Sequence, residues 1–396
     1  MAYTKVNDTP AADIAKINNT AVADIAKCND VEAPSGTTTA TRWVAATQIG
    51  YIAYAANSDL TSWTSYDGYD ESGSDGAAQG SGDSEHIGFG KNNSGASIYI
   101  ATRATQASGT QIRELTVSGT DVTSTSVWTN VDLDGSGSKA AIMQVLWGAR
   151  SDGTAAGTWI AVGKQGTGNI YRSIDGGANW SAVDISGLSG HQSGNANMPY
   201  LNGVASDGNG KWMTLQANRI YYSTDDGASW AVSTPFSSDA PGRGQGIVYT
   251  NNSWVICYSR ASAIRFRSCA ASDITDWGDE VDAINVAHTT TQGRGAKMAA
   301  ANGNVCVAME NDLDVNRFTV NGKVIGTVSN TALSSTGSIR SIATDGTKWV
   351  VACNDGDLHE STDNGANFTQ RLDGFQADGS SALDFEGITA DVILPL

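Results

Sequence analysis

The stretch RSIDGGANW, residues 172–180, sets Ser173, Asp175, Gly177 and Trp180 in the order S-x-D-x-G-x-x-W. The same order returns in YSTDDGASW, 222–230, as Ser223, Asp225, Gly227 and Trp230. It returns again in ESTDNGANF, 360–368, as Ser361, Asp363, Gly365 and Phe368. Glycine supplies a backbone position that tolerates positive φ. Aspartate is short enough to accept hydrogen bonds from amides of its own turn. An aromatic ring, burying about 150–250 Å², then anchors the strand that follows. The expected role of these residues is therefore that of a structural turn and anchor.

Working outward, shorter relatives of the turn end at Trp63 in SDLTSW, Trp128 in STSVW and Trp277 in SDITDW. With Trp180, Trp230 and Phe368 they mark units at a spacing of roughly 45–65 residues, and a degenerate unit around NRFTVNGKVIG, 316–326, fills the one double gap. Seven units fit. Each is a set of short runs such as LNGVASD, GKWMTLQ, RIYYSTDDG and ASWAVST, rich in β-branched and aromatic residues and punctuated by Asp-Gly or Asn-Gly. Four antiparallel strands cannot bury both faces alone, whereas sheets repeated around an axis cover one another and protect their edges. The first unit lacks an inner strand: TRWVAAT (41–47) and GYIAYAA (50–56) match second and third strands. FEGITAD, 385–391, matches the first strands of other units. The sequence thus predicts an all-β, seven-bladed propeller of four-stranded antiparallel blades over 34–396, its first blade completed by the C-terminal strand. A short arm, 1–33, precedes it.

The repeated turn resembles the Asp-box, or bacterial neuraminidase repeat, of sialidase-like β-propellers. The resemblance covers roughly residues 40–396 as a fold. It implies that the boxes are structural and lie on the side opposite the ligand-binding face, so the turn aspartates do not meet on one substrate. A sialidase-like hydrolase would also need an arginine cluster, a Tyr–Glu pair and an acid/base Asp. The characteristic Phe-Arg-Ile-Pro segment is absent, and Arg265-Phe266-Arg267-Ser268 lies mid-chain without proline. Arg243 and Arg294 each occur in GRG, 11 residues before a second-strand apolar run that starts at Trp254 or Val305, and Arg340, two places further along in the following unit, has the same side-chain parity. These three are the candidate axial anion or glycan site; for hydrolysis, Glu386, near the inner C-terminal strand, is the only acidic candidate with position in its favour. No matched pair of carboxyls for glycoside hydrolysis is evident. His191 and His288 fall in the loops on the same rim, and the four histidines offer no zinc set.

Composition narrows the remaining classes. A formal net charge of −17 disfavours a phosphate-binding surface, and no nucleic-acid partner is expected. No run of 18 apolar residues and no secretory leader are present, so no membrane insertion is expected. Cys257, Cys306 and Cys353 sit in apolar strand-like runs and read as small buried hydrophobes; with Cys28 and Cys269 they give no disulfide framework. The acidic loop 66–86, with Asp67, Asp70, Asp75 and Asp83, and the DLDG at 132–135 lack a complete calcium-loop frame and read as solvated loops. No metal or other cofactor is expected.

Residues 10–20, PAADIAKINNT, and 21–31, AVADIAKCNDV, form an 11-residue repeat with Asp13/Asp24, Ile14/Ile25 and Lys16/Lys27 in register. Two short helical turns or an extended arm fit it equally well, and alone it buries too little to fold. The DIAKIN/DIAKCN leader before a Gly- and Thr-rich β domain resembles virion and tail proteins of tailed bacteriophages. That resemblance implies a non-enzymatic structural protein, made in the host cytoplasm and carried in the virion. Its arm would dock on other virion subunits while the propeller contacts neighbours or a host-surface glycan or receptor. The alternative is a glycan-binding or sialidase-like glycoside hydrolase propeller.

Overall fold

A computed structural model describes residues 5–6, 9–10, 40–47, 51–66, 84–105, 109–118, 121–123, 129–131, 141–164, 170–189, 201–216, 219–233, 243–260, 263–283, 296–309, 313–375 and 385–394. Seven antiparallel sheets follow one another along the chain, five with four strands and two with a fifth strand. The inner strands, in ring order, are Phe385–Ala390, Ser84–Lys91, Ala141–Gly148, Leu201–Ser206, Arg243–Thr250, Ala296–Ala301 and Ile339–Thr344. Each packs against the inner strands of both neighbours, all the way round, which makes the assembly a closed seven-bladed propeller.

Closure occurs where the sequence places it. Phe385–Ala390 pairs antiparallel with Arg42–Thr47, setting Trp43 against Ala390 and Thr47 against Phe385. A clasp locks this join from the side. The Asp391 carboxylate accepts from the Thr41 amide (2.6 Å), the Thr41 hydroxyl, and the Arg42 amide (3.0 Å), and pairs with the Arg42 guanidinium at 3.2 Å. Asn57 adds a second tie, accepting from the Trp43 indole and donating to Ala40 O and to Asp345 of the seventh blade.

The core lies between blades. Five blades carry a fully buried Trp at or near the start of the second strand: Trp43, Trp159, Trp212, Trp254 and Trp349. The strands alternate, so one set of side chains packs on the preceding blade and the other on the following one. Truncating one such Trp to Ala removes about 3–5 kcal/mol. Cys257, Cys306 and Cys353 are buried with them, and burial pushes the thiols of Cys306 and Cys353 up to about 12. In the sixth blade, the segment read as degenerate supplies the third strand, Asp314–Asn321, which pairs with both Val324–Ile325 and Ser329–Ala332. The arm contributes one small described pairing, Lys5–Val6 with Thr9–Pro10.

Candidate functional site

The two ends of the ring are chemically different. At one end lie the turns joining first to second and third to fourth strands. In the third blade Ser173 Oγ donates to Asp175 (2.8 Å) and accepts from the Gly177 amide (2.9 Å). Asp175 also accepts from the Asn179 amide and side chain, and the Trp180 indole donates to Gly177 O at 2.9 Å. The fourth blade repeats the set with Ser223, Asp225, Gly227, Ser229 and Trp230. In the seventh blade Ser361, Asp363, Gly365 and Asn367 do so, with Phe368 in place of the Trp and hence no indole bond. The shorter turns keep part of the pattern. Asp59 and Asp273 accept from Thr61 and Thr275, and the indoles of Trp63 and Trp277 donate to Leu60 O and Ile274 O. Trp128 lies outside the described residues.

Each full turn docks on the preceding blade. A Cβ at Gly177, Gly227 or Gly365 would lie 2.5 Å from Ile100, 2.6 Å from Ile160 or 2.3 Å from Cys306. In the fourth blade Asp226, next in the turn, accepts from the Ser151 amide and hydroxyl, and Arg172 donates to Asp226 O at 2.7 Å. The turn aspartates are thus engaged within separate blades around the rim.

Burial alone would raise the Asp363 pKa. Hydrogen bonds from the Asn367 side chain and amide and from Ser361 outweigh it, holding the carboxyl down to about 2 from an ordinary 3.8. Asp175 and Asp225 are lowered by the same balance. A folded-state pKa below the unfolded one stabilises fully above the unfolded value and is lost as pH falls through the folded one. The melting temperature should therefore fall between about pH 4 and about pH 2, and less steeply in Asp363→Asn, which keeps the acceptor but not the charge. An equal acid slope in the variant, measured by melting at stepped pH, would remove this aspartate from the acid response.

At the other end, the first residues of the inner strands surround the axis. Six of the seven inner strands show a register shift near their start. A bulge re-aims the residue it displaces and alters how neighbouring groups pair. The shifts fall in the sequences Glu85-His86-Ile87, Met143-Gln144-Val145, Asn202-Gly203-Val204, Gln245-Gly246-Ile247, Arg340-Ser341-Ile342 and Glu386-Gly387-Ile388. At three junctions the middle side chain accepts a backbone N–H of the next blade. His86 Nδ1 takes Val145 N (3.5 Å), Gln144 Oε1 takes Val204 N (2.7 Å), and Ser341 Oγ takes Ile388 N (3.1 Å).

Of the three sequence-predicted arginines, Arg340 reaches the axial end, where its guanidinium is 3.7 Å from Glu386 of the adjoining first blade, both side chains being largely buried. Arg243 opens the fifth inner strand opposite Ser259 in register. Arg294 lies outside the described residues, as do His191, His288, Asp67, Asp70, Asp75, Asp83 and the DLDG segment. The arm positions Asp13, Ile14, Lys16, Asp24, Ile25 and Lys27 are likewise outside them. Three other arginines meet elsewhere: Arg260 and Arg265 bind the two oxygens of Glu280 at 2.8 and 2.5 Å, with Arg267 at 3.7 Å. Hydrogen bonds from Tyr258 and the arginines hold Glu280 low against the opposing effect of its burial.

An axial cavity of about 240 Å³ runs along the inner strands and is bounded at the turn end by Val392, Ile393 and Leu394. A second, of about 40 Å³, sits at the bulge end among His86, Gln144, Lys297 and Ser341. Sequence reasoning passed over these four residues. Three of them, His86, Gln144 and Ser341, share a signal, a polar residue immediately before an Ile or Val of an inner strand, which becomes meaningful only once the bulge is known; Lys297, before Met298 on a strand without a register shift, carries none. Among the described residues no helix is long and apolar enough to cross a membrane, and no cluster of three or more His, Cys, Asp or Glu could hold a metal ion.

No protein-family model matches the chain, and no curated protein sequence does. Solved structures with a similar fold include YCF48 from Cyanidioschyzon merolae, at 14% identity and a TM-score of 0.45, over 74% of this chain and 88% of that one. YCF48 bound to D1 peptide is similar at 16% identity and a TM-score of 0.43, over 76% and 88%. A protein of unknown function from Dyadobacter fermentans is similar at 10% identity and a TM-score of 0.47, over 72% and 93%.

Proposed function

We propose that this chain is a non-enzymatic structural module of a bacteriophage particle, associated with tail or capsid, fastened by residues 1–33 and displaying the propeller to neighbouring subunits or a host surface. The observation that carries the non-enzymatic part is the engagement of its well-placed acids. Glu386 faces Arg340, and Asp175, Asp225 and Asp363 are each consumed by their own turn. A carboxylate held this way neither delivers nor takes a proton readily near neutral pH. The phage assignment rests on the DIAKIN/DIAKCN leader and its resemblance to virion proteins. The ring geometry supports display, because the chain enters at Ala40–Thr41, on the end that carries Asp391 and the turns. The bulge end then points away from the point of attachment. Electron microscopy of assembled particles should place the chain at symmetry-related positions on tail or capsid; its presence only as free protein in infected cells would defeat the assignment.

The second reading, a glycan-binding or glycan-cleaving propeller, is favoured by Arg340 at the axial mouth and by Arg243 opening an inner strand at the same end. A glycan array followed by a reducing-sugar assay on each hit separates binding from hydrolysis. Loss of the array signal in Arg340→Ala would locate the site, and an unchanged signal would move it elsewhere.

A further inference from the structure

We propose that the bulge end of the axis holds a seat for one small monovalent anion, halide- to formate-sized, formed by Lys297, His86, Gln144 and Ser341. All four line the same cavity of about 40 Å³. The inference is independent of the phage assignment and of the arginine site.

The hydrogen-bond inventory fixes the polarity of this cavity. A backbone N–H can only donate, so the atoms facing Val145 N, Val204 N and Ile388 N must be acceptors. His86 therefore meets its partner through unprotonated Nδ1, which puts the ring hydrogen on Nε2. Gln144 spends its carbonyl oxygen and retains its NH₂; Ser341 spends a lone pair and retains its hydroxyl hydrogen. The hydrogens left over are all donors. One further junction points the same way. A Cβ at Gly203 would lie only 3.3 Å from the Ile247 nitrogen, and glycine brings no side-chain acceptor to that amide.

Lys297 supplies the charge. It sits on the sixth blade and His86 on the second, across the ring from each other. Burial first, and the Lys297 charge after it, lower the His86 pKa to about 3, and the two side chains line the same cavity. The imidazole is neutral at physiological pH, so it donates without adding charge. Among the described residues no ion pair involves Lys297, and Glu386, also on an inner strand, is engaged by Arg340. The cavity wall also carries one acceptor, the buried Asn202 Oδ1, which Lys297 and the three neutral donors outnumber, and a cation among such donors is an arrangement that binds an anion. The small volume excludes large ones.

The test uses the full chain. Melting is followed against potassium bromide and, separately, potassium formate, at ionic strength held constant with a bulky organic sulfonate. The midpoint should rise saturably with either salt, through binding to the folded state alone. In Lys297→Met, of similar length and without charge, apparent affinity should drop by about tenfold or more. The same saturable rise in the variant, or a rise that tracks ionic strength whatever the anion, overturns the proposal. Bromide-soaked crystals of the unaltered protein give a second reading that does not depend on the variant folding. One anomalous peak within hydrogen-bond reach of Lys297 Nζ, His86 Nε2 and Gln144 Nε2 is expected, and its absence there overturns the proposal.

Discussion

A chain ending before Leu383 is expected to give insoluble or dimerised material, although only 14 residues are lost. The deleted strand supplies the inner position of the first blade and packs on both flanking inner strands. Phe385 and Ile388 are buried, each worth about 1.5–3 kcal/mol. They belong to one core cluster with Trp43, Val350, Ala352 and Leu358, which would lose its cover. Such losses compare with the whole stability of an ordinary domain, about 5–15 kcal/mol. One ladder edge would also open, on Arg42–Thr47, while the inner strand of the seventh blade would lose its packing neighbour, and exposed edges seek other strands. The clasp adds a specific element, since the Thr41–Asp391 contact spans 350 positions and so carries a large loop-closure cost.

Removal of residues 1–33, a longer deletion, should leave a soluble ring that melts cooperatively, because the clasp begins at Ala40 and Thr41. Under the proposed phage role, that product should no longer enter particles. The pair of truncations therefore separates fold from attachment by solubility, melting and particle incorporation. A monomeric, cooperatively melting product from the C-terminal truncation would exclude ring closure as the organising contact.

The ring was legible because it repeats. S-x-D-x-G-x-x-W fixes a third-to-fourth-strand turn wherever it occurs, and FEGITAD could be matched to LNGVASD and SIRSIATD without knowing any pairing. The five tryptophans of the second strands were visible as apolar runs, yet their equivalence around the ring emerges only from the register. The axial end was less legible. A bulge inserts one residue and reverses the phase of everything beyond it. A parity argument from Arg243 to Arg340 runs through that shift, because Gln245 is the displaced residue in one blade and Arg340 in the other. Gln144 and Lys297 stand alone among apolar neighbours and His86 follows Glu85, so each resembles an ordinary strand residue. Their meeting depends on three different blades arriving at one axis. Arg340 and Glu386 had each been singled out separately, and the closed ring sets them side by side. In the sixth blade, a single third strand with two partners has no signature beyond the Asn321-Gly322 hairpin.

Gly365→Ala is expected to destabilise the protein by about 2–5 kcal/mol, and the size of the effect should depend on a residue 59 positions earlier, Cys306. Gly365 has a φ of +78°, which costs an L-residue about 1–2 kcal/mol. Its Cβ would also lie 2.3 Å from Cys306 Sγ in the sixth blade, so the turn could dock only by moving off its neighbour, at about 1–3 kcal/mol. Gly374 separates the two contributions: its φ is +62° and a Cβ there would meet nothing within 4 Å, so Gly374→Ala should show the backbone cost alone. Cys306→Ala removes the sulfur that the new methyl would strike. The double variant Cys306→Ala/Gly365→Ala should therefore be less destabilised than the two single changes summed, by about 0.5–3 kcal/mol. Denaturant melts of the four proteins measure this directly. Costs that add within about 0.5 kcal/mol would mean that the turn does not bear on the preceding blade. The glycine would then be needed for its backbone conformation only, and the repeated turn would shape individual blades without joining them.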